Sequence, residues 1–251
     1  MTHDAAPRAE AAVDDESREP ATAGGGTESR EPATAASGTE SREAATAAAL
    51  DRLFGRYHFP AGPRRILLAA ATTFAERGFH ATTTRDIAAQ AGLSSAALYV
   101  YFKSKEEVLY QIAASALDFT IEVTATEAGR PGPPAQRLQG LVRVLTIWHT
   151  YNSQVAHVVL YQTGALSPAH LADVTAKQRE VGRIVRQVII DGVRSGDFDV
   201  ADADAATIAV LSICLDVARW YRPGYRLTPQ QIGDFNAATA LRVTGGLGAG
   251  A

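Results

Sequence analysis

The sequence predicts an all-α fold, and three observations carry that prediction. From Pro63 onward apolar residues recur at intervals of three and four, the period of a helix with one buried face, and no stretch alternates as a half-buried strand does. Ser, Thr and Asp stand before the periodic runs and Gly or Pro after them, where helices start and stop. With 251 residues, 46% of them hydrophobic, the chain is long enough to bury one or two cores.

Residues 1–60 stand apart. They contain ESREPATA from Glu16, ESREPATA from Glu28 and ESREAATA from Glu40, a twelve-residue period amid Ala, Gly, Thr and Pro. The unit has no apolar face, so a solenoid is excluded and a disordered acidic tail is expected. Repeat expansion without function, an acidic arm competing with an anionic partner, and a partner-binding segment remain open readings. Leu50, Leu53, Phe54, Tyr57 and Phe59 make its end more apolar, enough for a short docking helix.

The first helix of the folded part is expected over 64–77, burying Ile66, Leu67, Ala70 and Phe74 and ending at Gly78. A second starts with Thr84 as N-cap, turns Ile87 and Ala88 inward and ends at Gly92. Leu93 then plugs the core, and Ser94 caps a third helix that runs to Phe102. Ser104 caps a fourth, with Glu106 and Glu107 in the first turn, where carboxylates favour the helix dipole. That helix reaches Glu127, and residues 129–134, rich in Gly and Pro, mark the break after it. Further helices are expected near 135–151, 153–161, 168–195, 202–221 and 228–245.

Two short helices around a tight turn, followed by an aromatic-basic run, are the layout of a helix-turn-helix DNA reader. The candidate contacts are Thr84, Arg85, Ser94, Ser95, Ala97, Tyr99, Tyr101, Lys103 and Lys105. Side chains at the start of the third helix face base edges, while Tyr99, Tyr101, Lys103 and Lys105 suit phosphate oxygens. Charge is distributed accordingly. Residues 1–60 hold six Arg against eleven Asp/Glu, residues 61–117 hold six Lys/Arg against four, and the remainder balances at twelve each, so the overall −3 conceals a basic reader. The surplus is modest, so two such readers acting together are needed for affinity.

The run T-x-R-D-I-A-x-x-A-G-L-S from Thr83, followed by L-Y-x-Y-F-x-S-K-E-E-V-L from Leu98, resembles the DNA-binding domain of the TetR family of transcriptional regulators. The resemblance covers about residues 63–117. It departs at Ala96, where glycine is frequent, at Ala97, where a small hydroxyl residue is frequent, and at Val100, where a polar or aromatic residue is usual. Those three positions can meet thymine methyls but make no bidentate base contacts. The resemblance implies a DNA-binding domain over 61–108, an effector-binding and dimerisation domain over 109–251, a double-stranded operator, a small-molecule effector and no cofactor. It also implies a homodimer formed by the last two helices, through Ala205, Ile208, Ala209, Leu211, Ser212 and Leu215 and then Phe235, Ala238, Leu241 and Arg242. A twofold dimer also follows from the weakness of one reader helix alone. The segments QVAHVVLYQ and ARWYRPGYRLTPQQI resemble an actinobacterial branch of the family that regulates lipid and sterol catabolism, several members of which answer to acyl-CoA thioesters.

An all-helical domain can enclose an apolar pocket between its helices. Candidate effector contacts are Trp148, His149, Tyr151, His157 and Tyr161 in the fifth and sixth helices, and Arg219 and Trp220 at the end of the eighth. Aromatic walls suit a large amphipathic molecule, and an Arg at the rim suits a carboxylate or phosphate. The plainer reading of each is a core aromatic or a satisfied polar group. Arg179, Arg183 and Arg186 share a face that reads as solvated and paired with Glu180.

An enzyme is not expected. Asp197/Asp199 and Asp202/Asp204 read as turn and N-cap residues, and an EF-hand loop fails for want of its glycine and terminal glutamate. Cys214 lies in an apolar helical run and reads as an inert buried thiol; no His/Cys cluster has metal spacing. With no apolar run of membrane-spanning length and no signal-peptide core, a cytoplasmic protein is expected. The functional expectation is a repressor released from its operator by an effector, with an effector-independent regulator and a regulator of drug or metabolite efflux as alternatives.

Overall fold

The computed structural model describes residues 59–222 and 224–245. Among them are nine α-helices and one 3-10 turn, and no strand. The repeat-bearing tail, including Leu50, Leu53, Phe54 and Tyr57, lies outside the described residues; Phe59 packs against the first core.

Helices α1 (Ala61–Arg77), α2 (Thr84–Gln90) and α3 (Ser95–Tyr101) form the head. The first begins three residues earlier than its apolar face implies, because Pro60 leads directly into it and Ala61 and Gly62 extend the turn. Ile66, Leu67 and Phe74 are fully buried against Ile87 and Leu98, so three short helices close around one cluster. The second and third, seven residues each, are too short to be stable alone; packing on α1 holds them.

The body comprises α4 (Lys105–Ala128), α5 (Pro134–Tyr151), α6 (Ser153–Tyr161), a 3-10 turn (Thr163–Ala165), α7 (Pro168–Ser195), α8 (Ala203–Trp220) and α9 (Pro229–Val243). Their bounds fall within a residue or two of the expected ones, and four of them begin at a capping residue: Ser104, Ser167, Asp202 and Thr228 each accept a backbone N–H of the first turn. Two large apolar cores result, with a small third cluster of Val217, Tyr221 and Ile232. One large core runs from the head through α4 into α6 and Val174 of α7; the other joins α5, α7, α8 and α9.

The head meets the body through α4 and α6. The Thr72 hydroxyl of α1 donates to Gln154 Oε1 on α6 at 3.2 Å, and the Phe79 backbone N–H donates to Oε1 of Gln162, the residue after α6, at 2.9 Å. A polar strap joins α4 to α7. His170 Nδ1 lies 2.8 Å from Glu106, its ring stacks on Tyr110 at 3.8 Å, the Tyr110 hydroxyl donates to Asp173 at 3.1 Å, and Lys177 pairs with Asp118. Burial pushes the Glu106 carboxyl up, but the Ser167 N–H and the His170 ring outweigh it and hold the group below the ordinary carboxylate range.

Candidate DNA interface and ligand cavity

The head presents α3 outward on a scaffold set by local contacts. The N-cap of α2 is Thr83, not Thr84: the Asp86 N–H donates to Thr83 Oγ1 at 3.2 Å, and the Thr83 N–H donates to Asp86 Oδ2 at 2.8 Å. Asp86, three residues after Thr83, decides among three consecutive threonines. Thr84, the first helical residue, is thereby released, and its hydroxyl meets the Tyr99 hydroxyl at 3.2 Å. Gly92 holds φ +64°, and a Cβ there would sit 2.8 Å from Arg65, whose guanidinium donates to the Ala91 carbonyl at 2.6 Å. The turn therefore needs glycine for its left-handed backbone, and a side chain there would also have to displace the Arg65 tip.

Ser94 caps α3, accepting the Ala97 N–H at 3.1 Å. Arg85, Ala96, Tyr99, Val100, Tyr101 and Lys103 are exposed, while Ser95 and Ala97 are half-buried. The Tyr101 ring lies over Gly62 of α1, where a Cβ would come within 2.7 Å of its hydroxyl. Exposed tyrosines on a helix of this size are not core residues, and Val100, 76% exposed, makes the patch more apolar than a solvated face requires.

Lys105 is the correction. Its ammonium turns inward, donating to the carbonyls of Phe79 at 2.7 Å and Thr82 at 2.6 Å, 4.2 Å above the Phe79 ring. Partial burial lowers its pKa. It staples the start of α4 to the loop between α1 and α2, with two of its three hydrogens committed to backbone carbonyls and the ammonium turned toward the Phe79 ring.

In the body a cavity of about 240 Å³ opens at the seam between the two cores. Five helices line it: Ala116, Leu117 and Thr120 of α4, Leu145, Trp148 and His149 of α5, Val155, Ala156, Val159 and Leu160 of α6, Gln178 and Val181 of α7, and Leu211, Cys214 and Leu215 of α8. The lining is almost wholly apolar, which suits the hydrocarbon part of a ligand. Small side chains at positions 116, 120 and 156 leave the space.

Two of the seven effector candidates read from the sequence, Trp148 and His149, are on this wall. Trp148 packs its ring against Phe119 at 4.5 Å. His149 is buried, which lowers its pKa to about 4, with Nδ1 2.8 Å from the Leu145 carbonyl oxygen. The other five lie outside the lining. Tyr151 accepts from Gln230 on the surface, His157 packs on Tyr161 at 4.7 Å, Trp220 contacts Tyr221 and Tyr225, and Arg219 pairs with Asp216 at 2.8 Å. Tyr161 and Arg219 nevertheless interact electrostatically, and each adjoins a lining region, α6 at Leu160 and α8 at Leu215. The residues that sequence reasoning missed are the small and aliphatic ones, whose signal is volume they do not fill.

Cys214 is fully buried, and its thiol is pushed up to about 12 by that burial, which makes it inert toward electrophiles at neutral pH. Asp202 caps α8, and Arg183 pairs with Glu180 and Arg186 with Asp204 on solvated faces. No cluster of metal-ligating side chains occurs among the described residues, and none of their helices is long and apolar enough to cross a membrane.

On the outer face of the last two helices, Ile208 is 67% exposed and Phe235 63% exposed. Leu241, expected on that face, is instead buried in the second core, and Leu211 and Leu215 turn to the cavity. The helical period brings Leu241 round toward α5, against which α9 packs most extensively.

Residues 66–112 match the bacterial regulatory proteins of the tetR family, and residues 131–244 match the tetracyclin repressor-like C-terminal domain. The chain is 32% identical over 196 residues to the HTH-type transcriptional repressor KstR2 of Mycobacterium tuberculosis, covering 76% of this chain and 96% of that one. A tetR-family regulatory protein from Rhodococcus RHA1 superposes with a TM-score of 0.71 at 31% identity, over 75% of this chain and all of that one. AibR, solved in complex with isovaleryl coenzyme A and operator DNA, shares the fold with a TM-score of 0.66 at 22% identity, over 74% of this chain and all of its own. With its head and its body each matched, and a full-length relative at this identity, the chain belongs to the TetR family of DNA-binding transcriptional regulators.

Proposed function

We propose that the protein is a homodimeric repressor that leaves its operator when an amphipathic effector enters the cavity between α4, α5, α6, α7 and α8. One observation carries this reading: α4 and α6, the two helices through which the head meets the body, both line the cavity. A ligand that favours one placement of these helices shifts the separation of two heads, and coupled binding equilibria do the rest. A regulator that senses nothing has no use for such an opening in its core. The relatedness to KstR2 supports repression, and the fold shared with an acyl-CoA-bound regulator supports an effector with an acyl part in the cavity and a polar part at the rim, where Arg219 and Tyr161 stand. Its place of work is then the cytoplasm, with the chromosome.

On DNA, Thr84, Arg85, Ser95, Tyr99, Tyr101 and Lys103 face the duplex, Ser94 holds α3 in shape, and Ala96, Ala97 and Val100 offer methyls to thymine. Lys105 drops out of the set. The exposed Ile208 and Phe235 form the centre of the contact between two copies.

The test is binding of the full chain to the DNA flanking its own gene, with and without a panel of acyl-CoAs. Specific binding released by one compound is the expected result. Specific binding indifferent to every compound would discard the acyl ligand, and its absence would discard the repressor. Phe235→Asp should give a monomer by light scattering and abolish the specific complex; a dimer that persists places the interface elsewhere.

A further inference from the structure

We infer that the effector brings a hydrogen-bond donor into the cavity, a hydroxyl on its apolar part, and gives it to Nε2 of His149. The inference rests on the reading of this cavity as the effector site. Its basis is the proton arrangement of one ring. His149 is 6% exposed and lines the cavity, and its Nδ1 lies 2.8 Å from the carbonyl oxygen of Leu145, one turn back on α5. A carbonyl oxygen only accepts, so Nδ1 carries the hydrogen. In the neutral ring the other nitrogen is then a bare lone pair. Burial keeps the ring neutral down to about pH 4, so the acceptor persists throughout the physiological range.

Among the described residues no group donates to Nε2, yet the atom is not sealed inside packed protein, so it opens on the cavity that its ring lines. The polar side chains of the wall do not donate to it: the Thr120 hydroxyl donates to the Ala116 carbonyl at 2.8 Å, the Cys214 thiol points at the Val142 carbonyl at 3.9 Å, and the Gln178 side chain is exposed, with no hydrogen bond to the ring. An acceptor left bare against an apolar ligand is costly, and an ether, ketone or thioester oxygen would set lone pair against lone pair. An ammonium could donate, but the lining holds no carboxylate to offset its desolvation. An uncharged hydroxyl meets every condition. His149 is thus a specificity determinant: it selects a hydroxylated apolar group over its deoxy or ether counterpart.

The probes are octan-1-ol and heptyl methyl ether, which have the same heavy-atom count and differ in whether the oxygen can donate. Each is titrated into the full chain carrying Trp220→Phe, so that emission reports on Trp148 at the cavity wall. The alcohol should bind about tenfold tighter than the ether, and in His149→Phe the two should converge to within about twofold. His149→Gln, which retains an acceptor, should retain the preference, and the alcohol should bind equally at pH 6 and pH 8. Equal binding of alcohol and ether without the His149 change overturns the inference while leaving the cavity as the effector site. A preference that survives in His149→Phe overturns the role of this residue. If neither probe alters Trp148 emission, both the inference and the effector reading fail. Should His149→Phe not fold, the comparison of the two probes in the His149 protein decides.

Discussion

The head and the cavity are built on opposite plans. In the head, caps span three residues, the turn glycine sits beside the helices it separates, and the side-chain hydrogen bonds from Arg65 and Lys105 cross between 23 and 27 positions. The cavity draws on positions from 116 to 215 and on five helices. A unit made of short-range contacts holds one shape whatever its partner does; a space bounded by distant helices changes shape when any one of them moves. Reading DNA demands the first property and sensing a ligand the second.

That contrast predicts unequal responses to loss of side-chain volume. Leu98 is fully buried in the head, and Leu98→Ala should cost about 2–5 kcal/mol, read as a lowered urea midpoint at unchanged slope. Leu211→Ala on the cavity wall merely widens an existing space and should cost less than about 2 kcal/mol. Equal costs would mean that the wall is packed as tightly as the head. Acid should find the body next. Unfolded, the His149 imidazole takes up a proton near pH 6.5; folded, near pH 4, so between those values the unfolded chain holds more protons. Stability contributed by keeping this ring neutral is complete above about pH 6.5 and declines by about 3 kcal/mol as pH falls to 4. His149→Phe should flatten that stretch of the stability profile, and an unchanged slope would show that the ring titrates normally.

Two lysines, two positions apart, sharpen the comparison inside the head itself. Lys105→Ala should destabilise by about 1–2 kcal/mol, the lower end reflecting its contact with solvent. Lys103→Ala should leave stability alone, weaken operator binding and reduce the salt slope by about one. Reversed behaviour would return Lys105 to the DNA surface. The smallest effect separates two threonines: Thr83→Ala should cost about 1 kcal/mol as a lost cap, and Thr84→Ala almost nothing. A costlier Thr84 would restore it as the cap.

Legibility followed the same division. The helices, their ends and the helix-turn-helix could be read because capping residues, breakers and periodicity are local signals; even the misplaced cap was correctable from Asp86 alone. Lys105 could not be read, since the loop that captures it is folded over by Phe79 packing on Phe74. Trp148 and His149, which line the cavity, stand out in the sequence because aromatic and titratable residues attract notice. Ala116, Thr120 and Ala156 do not, because a cavity is made by what neighbouring side chains fail to fill, and that depends on how helices far apart in sequence are set against each other. Tyr151, His157 and Tyr161 share those helices but leave them on other faces.

The strap between α4 and α7 has a mechanical consequence. Its attachments on α4, at Glu106, Tyr110 and Asp118, span twelve residues, about 18 Å of helix. Sliding α4 along its axis would stretch all of them in the same sense at once, whereas rolling about the line they define, which runs along the helix, strains each one little. The strap thus opposes translation of α4 and leaves rotation about its own length as the softer motion. A disturbance at Ala116 or Thr120 would then reach Lys105 and the head as a turn of the helix rather than a shift along it.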